Sequence, residues 1–592
     1  MAGSPTELVE AGAQARTVVL TGPCSYQIDV GGTLDHRNTV RHHLYFGQFH
    51  VRESPWFQPN ISVTVANTGD TVVRAPRLVA NGVGDWYDID SLLTEVLAGT
   101  DTDEQRALAL FAFFARSDVQ SHNNYMRCGP ATPDRDRSPA ANTFSDRANP
   151  VHAVTTWYAS GCELSAVNMA IAARRVGLGS RVVMFSRPGA EFVGQHAAVE
   201  VFYDGGHHMF DPELRAYFLL RDNRTVASAA EVCADPDLVR RTHCLGPAGP
   251  DTEPGFWFDA LYDAGTPLGV MPFDEWVDGV EYDLRPGERF EMRWSHQRRF
   301  HYGDKNDHDV PQSPWRLSNS CLALQVNGSV RATVAHLTAV DNLEVTPEGL
   351  LVVDNRYDGE VIVRMASPFP IVGGEIDLPD PAVRVALAQR DCPWRTVEPA
   401  ADGPVSLDEA LDHLRGRALR EFHVRLTVPA SARPLPGFEV RALVQLADTA
   451  LPALLAGPNT LSYRDRSTGD RRIEITHTWQ ELNHPVPAAP DVSPVTATSA
   501  DSVVLSWSAG DGSIDHHIDH HVVIAHSPGD PVAVCPDLDR LTGSDEPSWR
   551  VPAGWLHCPG RYVWRVRAIS TDEVWGPWSA WSTLCLTSGS GS

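Results

Sequence analysis

The sequence has almost no lysine. Lys305 is the sole example among 592 residues, and arginine carries the rest of the positive charge. That bias fits GC-rich bacterial coding better than it fits any function. Positive charge is scarce overall, and the formal net charge is -26. This argues against a general nucleic-acid binder, because phosphates demand a basic footprint. It argues equally against docking on an anionic membrane surface. Long apolar runs are missing, so no stretch reads as a membrane span. The first ten residues, Met1 to Glu10, have no basic region followed by an apolar core. A cytoplasmic location is therefore expected. Paired cysteines are missing as well. Ten cysteines are scattered from Cys24 to Cys585 without a Cys-x-x-Cys pair. That spacing reads as neither a zinc site nor a disulfide framework, and mostly buried free thiols are expected. No metal and no cofactor is anticipated.

What is present is enough chain for several cores, roughly three to five domains. Residues 1–85 alternate in short β-branched runs such as Ile61-Ser-Val-Thr-Val-Ala66, broken by turn signals. They predict a small β-sandwich. The pattern then turns helical. Asp90 to Leu97 reads as one helix, and Thr102 and Gln105 form a capping box ahead of a second. Residues 120–150 are polar and rich in Pro, Asp and Arg, which predicts a long loop. Residues 276–484 return to strand patterns and predict a β-sandwich, with a helix started by a Ser406–Glu409 capping box. Pro485 to Pro490 is a linker by composition. Residues 485–587 carry Trp507 on an early strand, the strand Tyr562-Val-Trp-Arg-Val-Arg-Ala568 and the turn Trp575-Gly-Pro-Trp-Ser579. This resembles a fibronectin type III module. Residues 588–592 form a Ser/Gly tail.

The chemistry concentrates in residues 157–212. Cys162 follows Gly161 and precedes an apolar helix pattern that stops at Gly177 and Gly179. A cysteine at a helix start meets unpaired N–H groups and the positive end of the dipole, which favours thiolate. The backbone N–H there can also donate to an oxyanion. Further on, Asp204-Gly205 is the strongest short-range hairpin signal. With a two-residue turn, paired residue numbers sum to 409. Asp211 then lies opposite Ala198, and His196 opposite Glu213. His196 and Asp211 become diagonal neighbours on one face. A carboxylate there fixes the imidazole tautomer and leaves the other nitrogen for a thiol. Cys162 is expected to head the helix lying against that face.

The ordered set Gly161-Cys162-x3-Ala166, Arg174-x2-Gly177-x2-Ser180-Arg181, Gly194-Gln195-His196-x3-Glu200-Val201 and His208-x2-Asp211-Pro212 resembles the transglutaminase-like superfamily. The resemblance covers roughly residues 90–230 and departs from the family at His207. It implies a multidomain α+β chain, in which a papain-like core over residues 86–275 is flanked by β-sandwich domains. It implies Cys162 as nucleophile, His196 as general base and acid, and Asp211 as orienter. The oxyanion or substrate residues are left among Trp157, Gly161, Gln120, His122, Asn123 and Gln195. The implied reaction is cysteine-dependent acyl transfer through a thioester, giving amide formation or hydrolysis. Its partners would be a peptidic or small-molecule acyl donor and, where an amide is formed, an amine acceptor, with no nucleic acid and no membrane. The alternative is a non-catalytic scaffold that binds polysaccharide or protein.

Three weaker signals complete the reading. Asp515 to His521 mixes His and Asp like a metal tract, but polar side chains on a solvated strand or loop of a fibronectin-like module are the plainer expectation. His301 to Asp309 reads as a solvated loop. Trp575 and Trp578 read as packing within their module.

Overall fold

Most of the fold follows from side chains alternating between core and solvent at every second position. Glu421–Val428 and Ile473–Gln480 alternate without a break. The computed structural model describes residues 13–32, 60–115, 121–122, 148–157, 159–160, 162–185, 196–213, 217–222, 224–240, 269–273, 277–297, 317–389, 392–398, 403–412, 419–430, 433–481, 486–499, 503–508, 517–528, 539–541, 546–551, 559–570 and 576–587, with a few single residues between them. The chain is β-rich, with several sheets arranged as sandwich-like layers.

The largest sheet has eight strands. Its order is Ala13–Leu20, Ile473–Gln480, Asn60–Asn67, Glu288–Arg293, Leu317–Asn327, Gly437–Ala447, Ile371–Asp377 and Val405–Ser406. A three-stranded sheet likewise places Gly457–Arg464 between Cys24–Val30 and Arg77–Ala80. The amino-terminal strands therefore do not close a sandwich of their own over residues 1–85. They interleave with strands from 288–480, and the separate sandwich over 276–484 dissolves with them. Alternation within one strand says which face is buried. It carries no information about a partner four hundred residues away, which is why the division looked natural.

The first and second helices form as expected. Ile89–Val96 starts on the Asp88 side chain, and Asp103–Phe114 has the complete Thr102–Gln105 capping box. The helix after Ser406 is short, Asp408–Asp412. Helix Cys162–Arg175 buries ten consecutive residues from Leu164 to Ala173. It ends where Gly177 takes a φ of 85° and Leu178 N donates to Ala173 O.

That helix packs on a four-stranded sheet ordered Gly206–Phe210, His196–Tyr203, Gly179–Phe185, Gly269–Met271. The two faces of the sheet bury different sets. Val182, Ala197, Val199, Val201 and Phe210 join the core that holds the helix residues Ala166, Val167 and Ala170. Val183, Phe185, Ala198 and Met209 pack with Phe218, Ala229 and Val232.

The carboxy-terminal module has its own core, including Trp507, Trp564 and Tyr562. Three strands form one sheet and five the other, the fibronectin type III-like arrangement. Trp578 is covered by the Arg565 and Arg567 guanidinium groups, so it packs within the module. His520 and His521 are buried, not surface polar residues. His520 lies edge-on to Trp507, and Arg567 donates to His521 Nδ1. The expectation failed because both histidines pack against aromatic rings that are distant in sequence. Residues 301–309, Asp515, His516 and Trp575 lie outside the described residues.

Candidate active site

The Asp204-Gly205 turn takes φ values of 47° and 80°, the left-handed pair of a type I′ turn. Its five ladder pairs, from Gly206 with Tyr203 to Phe210 with Val199, all sum to 409. No bulge intervenes, so Asp211 arrives one diagonal step from His196. His196 Nε2 and Asp211 Oδ2 are hydrogen-bonded, and both side chains are almost entirely buried.

The opposite ring nitrogen faces two further groups. His196 Nδ1 lies 3.8 Å from Glu213 Oε2. Cys162, at the first position of its helix and partly exposed, completes the cluster. Donor atoms of Cys162, His196 and Glu213 all lie within 4.8 Å of one another. Burial alone would pull the His196 imidazole down. The Asp211 charge and hydrogen bond, with Cys162 adding to them, outweigh burial and hold it well above its ordinary 6.5.

One geometric expectation is corrected. His196 pairs with Phe185, so it shares the face of Phe185 and Ala198. The helix covers the other face. Cys162 therefore meets His196 at the end of the sheet, where helix and strand both begin, not across the helix-covered face. The strict two-residue period of the strand forces this.

Glu213 is the residue that sequence reasoning missed. The pairing rule had placed it opposite His196, and burial makes it part of the site. Its side chain is 1% exposed, and neither carboxyl oxygen has a hydrogen bond of ordinary geometry. Burial pushes its carboxyl up from 4.5 to about 7, against the opposing pull of His196. Cys162, His196 and Glu213 are also the one set of three donors close enough to hold a metal ion among the described residues.

The remaining candidates divide. Trp157 is fully buried at the end of the segment Ala153–Trp157, as a core side chain. Ser121–His122 pairs in parallel with Ala159–Ser160, so the backbone of His122 lies beside Ser160, two residues before Cys162. Gln120, Asn123, Gly161 and Gln195 lie outside the described residues. Two motif residues serve the scaffold. Buried Glu200 takes Arg181 and the Ala229 N–H on its two oxygens, and His208 stacks on Tyr203. The expectation of mostly buried thiols also needs correction. Among the described cysteines Cys233 and Cys321 are buried, whereas Cys24 and Cys392 are exposed. No helix among the described residues is long and apolar enough to cross a membrane.

No protein-family profile and no curated protein sequence matches the chain. Solved structures do. The sixth fibronectin type III domain of human fibronectin type III domain containing protein 3 is similar at 16% identity, over 19% of this chain and 93% of that one, with a TM-score of 0.14. A Fn3-like protein from Clostridium thermocellum is similar at 22% identity, over 17% of this chain and 93% of that one, with a TM-score of 0.13. A structure titled as a myokine is similar at 20% identity, over 17% of this chain and 98% of that one, with a TM-score of 0.14.

Proposed function

We propose that residues 86–275 are a transglutaminase-like domain with a papain-like core that carries out cysteine-dependent acyl transfer. One observation carries the reading. His196 is held by Asp211 on one ring nitrogen and turns the other toward the Cys162 thiol at a helix start. Three residue types from three separate elements meet in the order that nucleophilic acyl transfer uses.

In this reading the Cys162 sulfur attacks the carbonyl carbon of a carboxamide, peptide or thioester. The C–S bond forms as the carbonyl oxygen takes the negative charge. The backbone N–H at the helix start and the neighbouring Ser121–His122 strand offer a place for that oxyanion. The His196 imidazolium gives its proton to the departing amine or thiol, and the bond to the leaving group breaks. His196 then takes a proton from water or from an acceptor amine, whose attack on the thioester releases Cys162. Water yields hydrolysis and an amine yields a new amide. A peptidic or small-molecule donor suits a site of this kind.

The test is alkylation by iodoacetamide near neutral pH, with the modified cysteine found by mass spectrometry. Cys162 labels faster than the other cysteines, and His196→Ala removes that advantage by about tenfold or more. If Cys162 labels no faster than exposed Cys24 and Cys392, the enzyme reading falls and a binding scaffold takes its place.

A further inference from the structure

Acyl transfer needs Cys162, His196 and Asp211. It does not need Glu213, and a second carboxylate beside the sulfur works against a thiolate. Yet Glu213 is buried as deeply as His196 and Asp211, neither of its oxygens has a hydrogen bond of ordinary geometry, and Oε2 lies 3.8 Å from His196 Nδ1. A thiol, an imidazole nitrogen and a carboxylate gathered at one buried point form a donor set that a cation can complete. The geometry points to a divalent cation: we infer that Cys162 Sγ, His196 Nδ1 and the Glu213 carboxylate form a binding site for a borderline-soft ion of the zinc class.

Four features support the assignment. The three donors come from a helix start, a strand start and the turn that follows the hairpin, so the fold gathers residues distant in sequence at one point. Sulfur, imidazole nitrogen and carboxylate oxygen together suit zinc and disfavour magnesium or calcium, which want oxygen alone. Asp211 on His196 Nε2 is the outer carboxylate that metal-bound imidazoles use to fix their ring, and it leaves Nδ1 to ligate. Tetrahedral zinc sets its donors roughly 3.3–3.8 Å apart. Donors already within 4.8 Å need to close by about an ångström to reach that spacing. Three protein donors leave one position open.

The site stands on this donor geometry, not on acyl transfer. Its consequence does rest on that reading: an ion on Cys162 Sγ occupies the nucleophile, so bound metal and acyl transfer exclude one another. Zinc then acts as a reversible cap.

The full chain is titrated with Zn²⁺ against a chromophoric chelator, and in parallel with Co²⁺ as a spectroscopic probe. The expected result is one tight equivalent and a thiolate-to-cobalt charge-transfer band. Cys162→Ser removes the band and Glu213→Gln weakens zinc by at least about tenfold. Zinc also protects Cys162 from iodoacetamide until EDTA is added. X-ray absorption of the zinc-loaded wild-type chain, counting one sulfur among nitrogen and oxygen donors, gives the answer without any variant. A band that survives Cys162→Ser, a sulfur-free zinc shell, or unchanged affinity in Glu213→Gln overturns the site. Alkylation of the metal-free chain reads the triad separately, so failure of one proposal is distinct from failure of the other.

Discussion

At the scale of single residues, buried histidines are used in opposite ways. His196 is held well above its ordinary value because the Asp211 charge and hydrogen bond, with Cys162 adding to them, outweigh its burial. For His477 the pull runs the other way. Burial, helped by the Arg16 charge, drives it down from 6.5 to about 4, and its Nε2 lies 2.7 Å from the Tyr26 hydroxyl. Tyr26 belongs to the three-stranded sheet and His477 to the eight-stranded one, so this bond ties the two layers. The sign of the linkage follows. The unfolded chain takes up a proton at about 6.5, and the folded chain refuses it until about 4. Stability from this group is full above 6.5 and is lost as pH falls toward 4, on the order of 2–3 kcal/mol across the window. His152, lowered to about 3 by burial and then by the Arg420 charge, contributes with the same sign. Urea midpoints at pH 7.5 and 4.5 therefore drop more for wild type than for His477→Gln. Equal drops in the two proteins would show that His477 is protonated in the fold.

At the scale of elements, the hairpin from His196 to Phe210 sets the site. Its turn needs φ of 80° at Gly205, and a Cβ there meets no neighbour within 4 Å. Gly205→Val should therefore cost about 1–2 kcal/mol through backbone conformation alone. Register survives, because the flanking faces are buried and a slip would expose them. A lower thermal midpoint with undiminished Cys162 alkylation is the expected pair of results. Loss of alkylation at full secondary structure would mean that the turn positions the site more delicately than the ladder does. This hairpin also shows what sequence could reveal. Turn chemistry and a period of two are local, so the relation of His196 to Asp211 was legible. Glu213 fell out of the same arithmetic, but its role depends on burial, which the arithmetic does not contain. The side from which Cys162 approaches is not legible in the hairpin, because the period of two fixes which residues share a face and says nothing of which face the helix covers.

At the scale of the whole molecule, the illegible part was the pairing of distant strands. Asn60–Asn67 is flanked on both sides within the eight-stranded sheet, by Ile473–Gln480 and by Glu288–Arg293. Val63 and Val65, facing the core from that strand, are fully buried. Cutting the chain at residue 85 would remove five strands from one continuous core and leave open edges on their former neighbours. The central segment also leans on this assembly. Gln445 Nε2 donates to Thr156 O, and Val280 N donates to Tyr87 O. The carboxy-terminal module differs, because its buried residues form a cluster of their own. Two truncations should thus behave in opposite ways. A chain ending at residue 484 keeps a cooperative melt and Cys162 alkylation within about twofold of the full chain, because none of the described residues from 486–587 belongs to the core around the site. A chain starting at residue 86 loses both, despite retaining Cys162, His196, Asp211 and Glu213. Circular dichroism melts and the alkylation assay measure the two outcomes together. If the chain from residue 86 were folded and reactive, the interleaved sheet would be dispensable to the site, and the original division at residue 85 would be the better description.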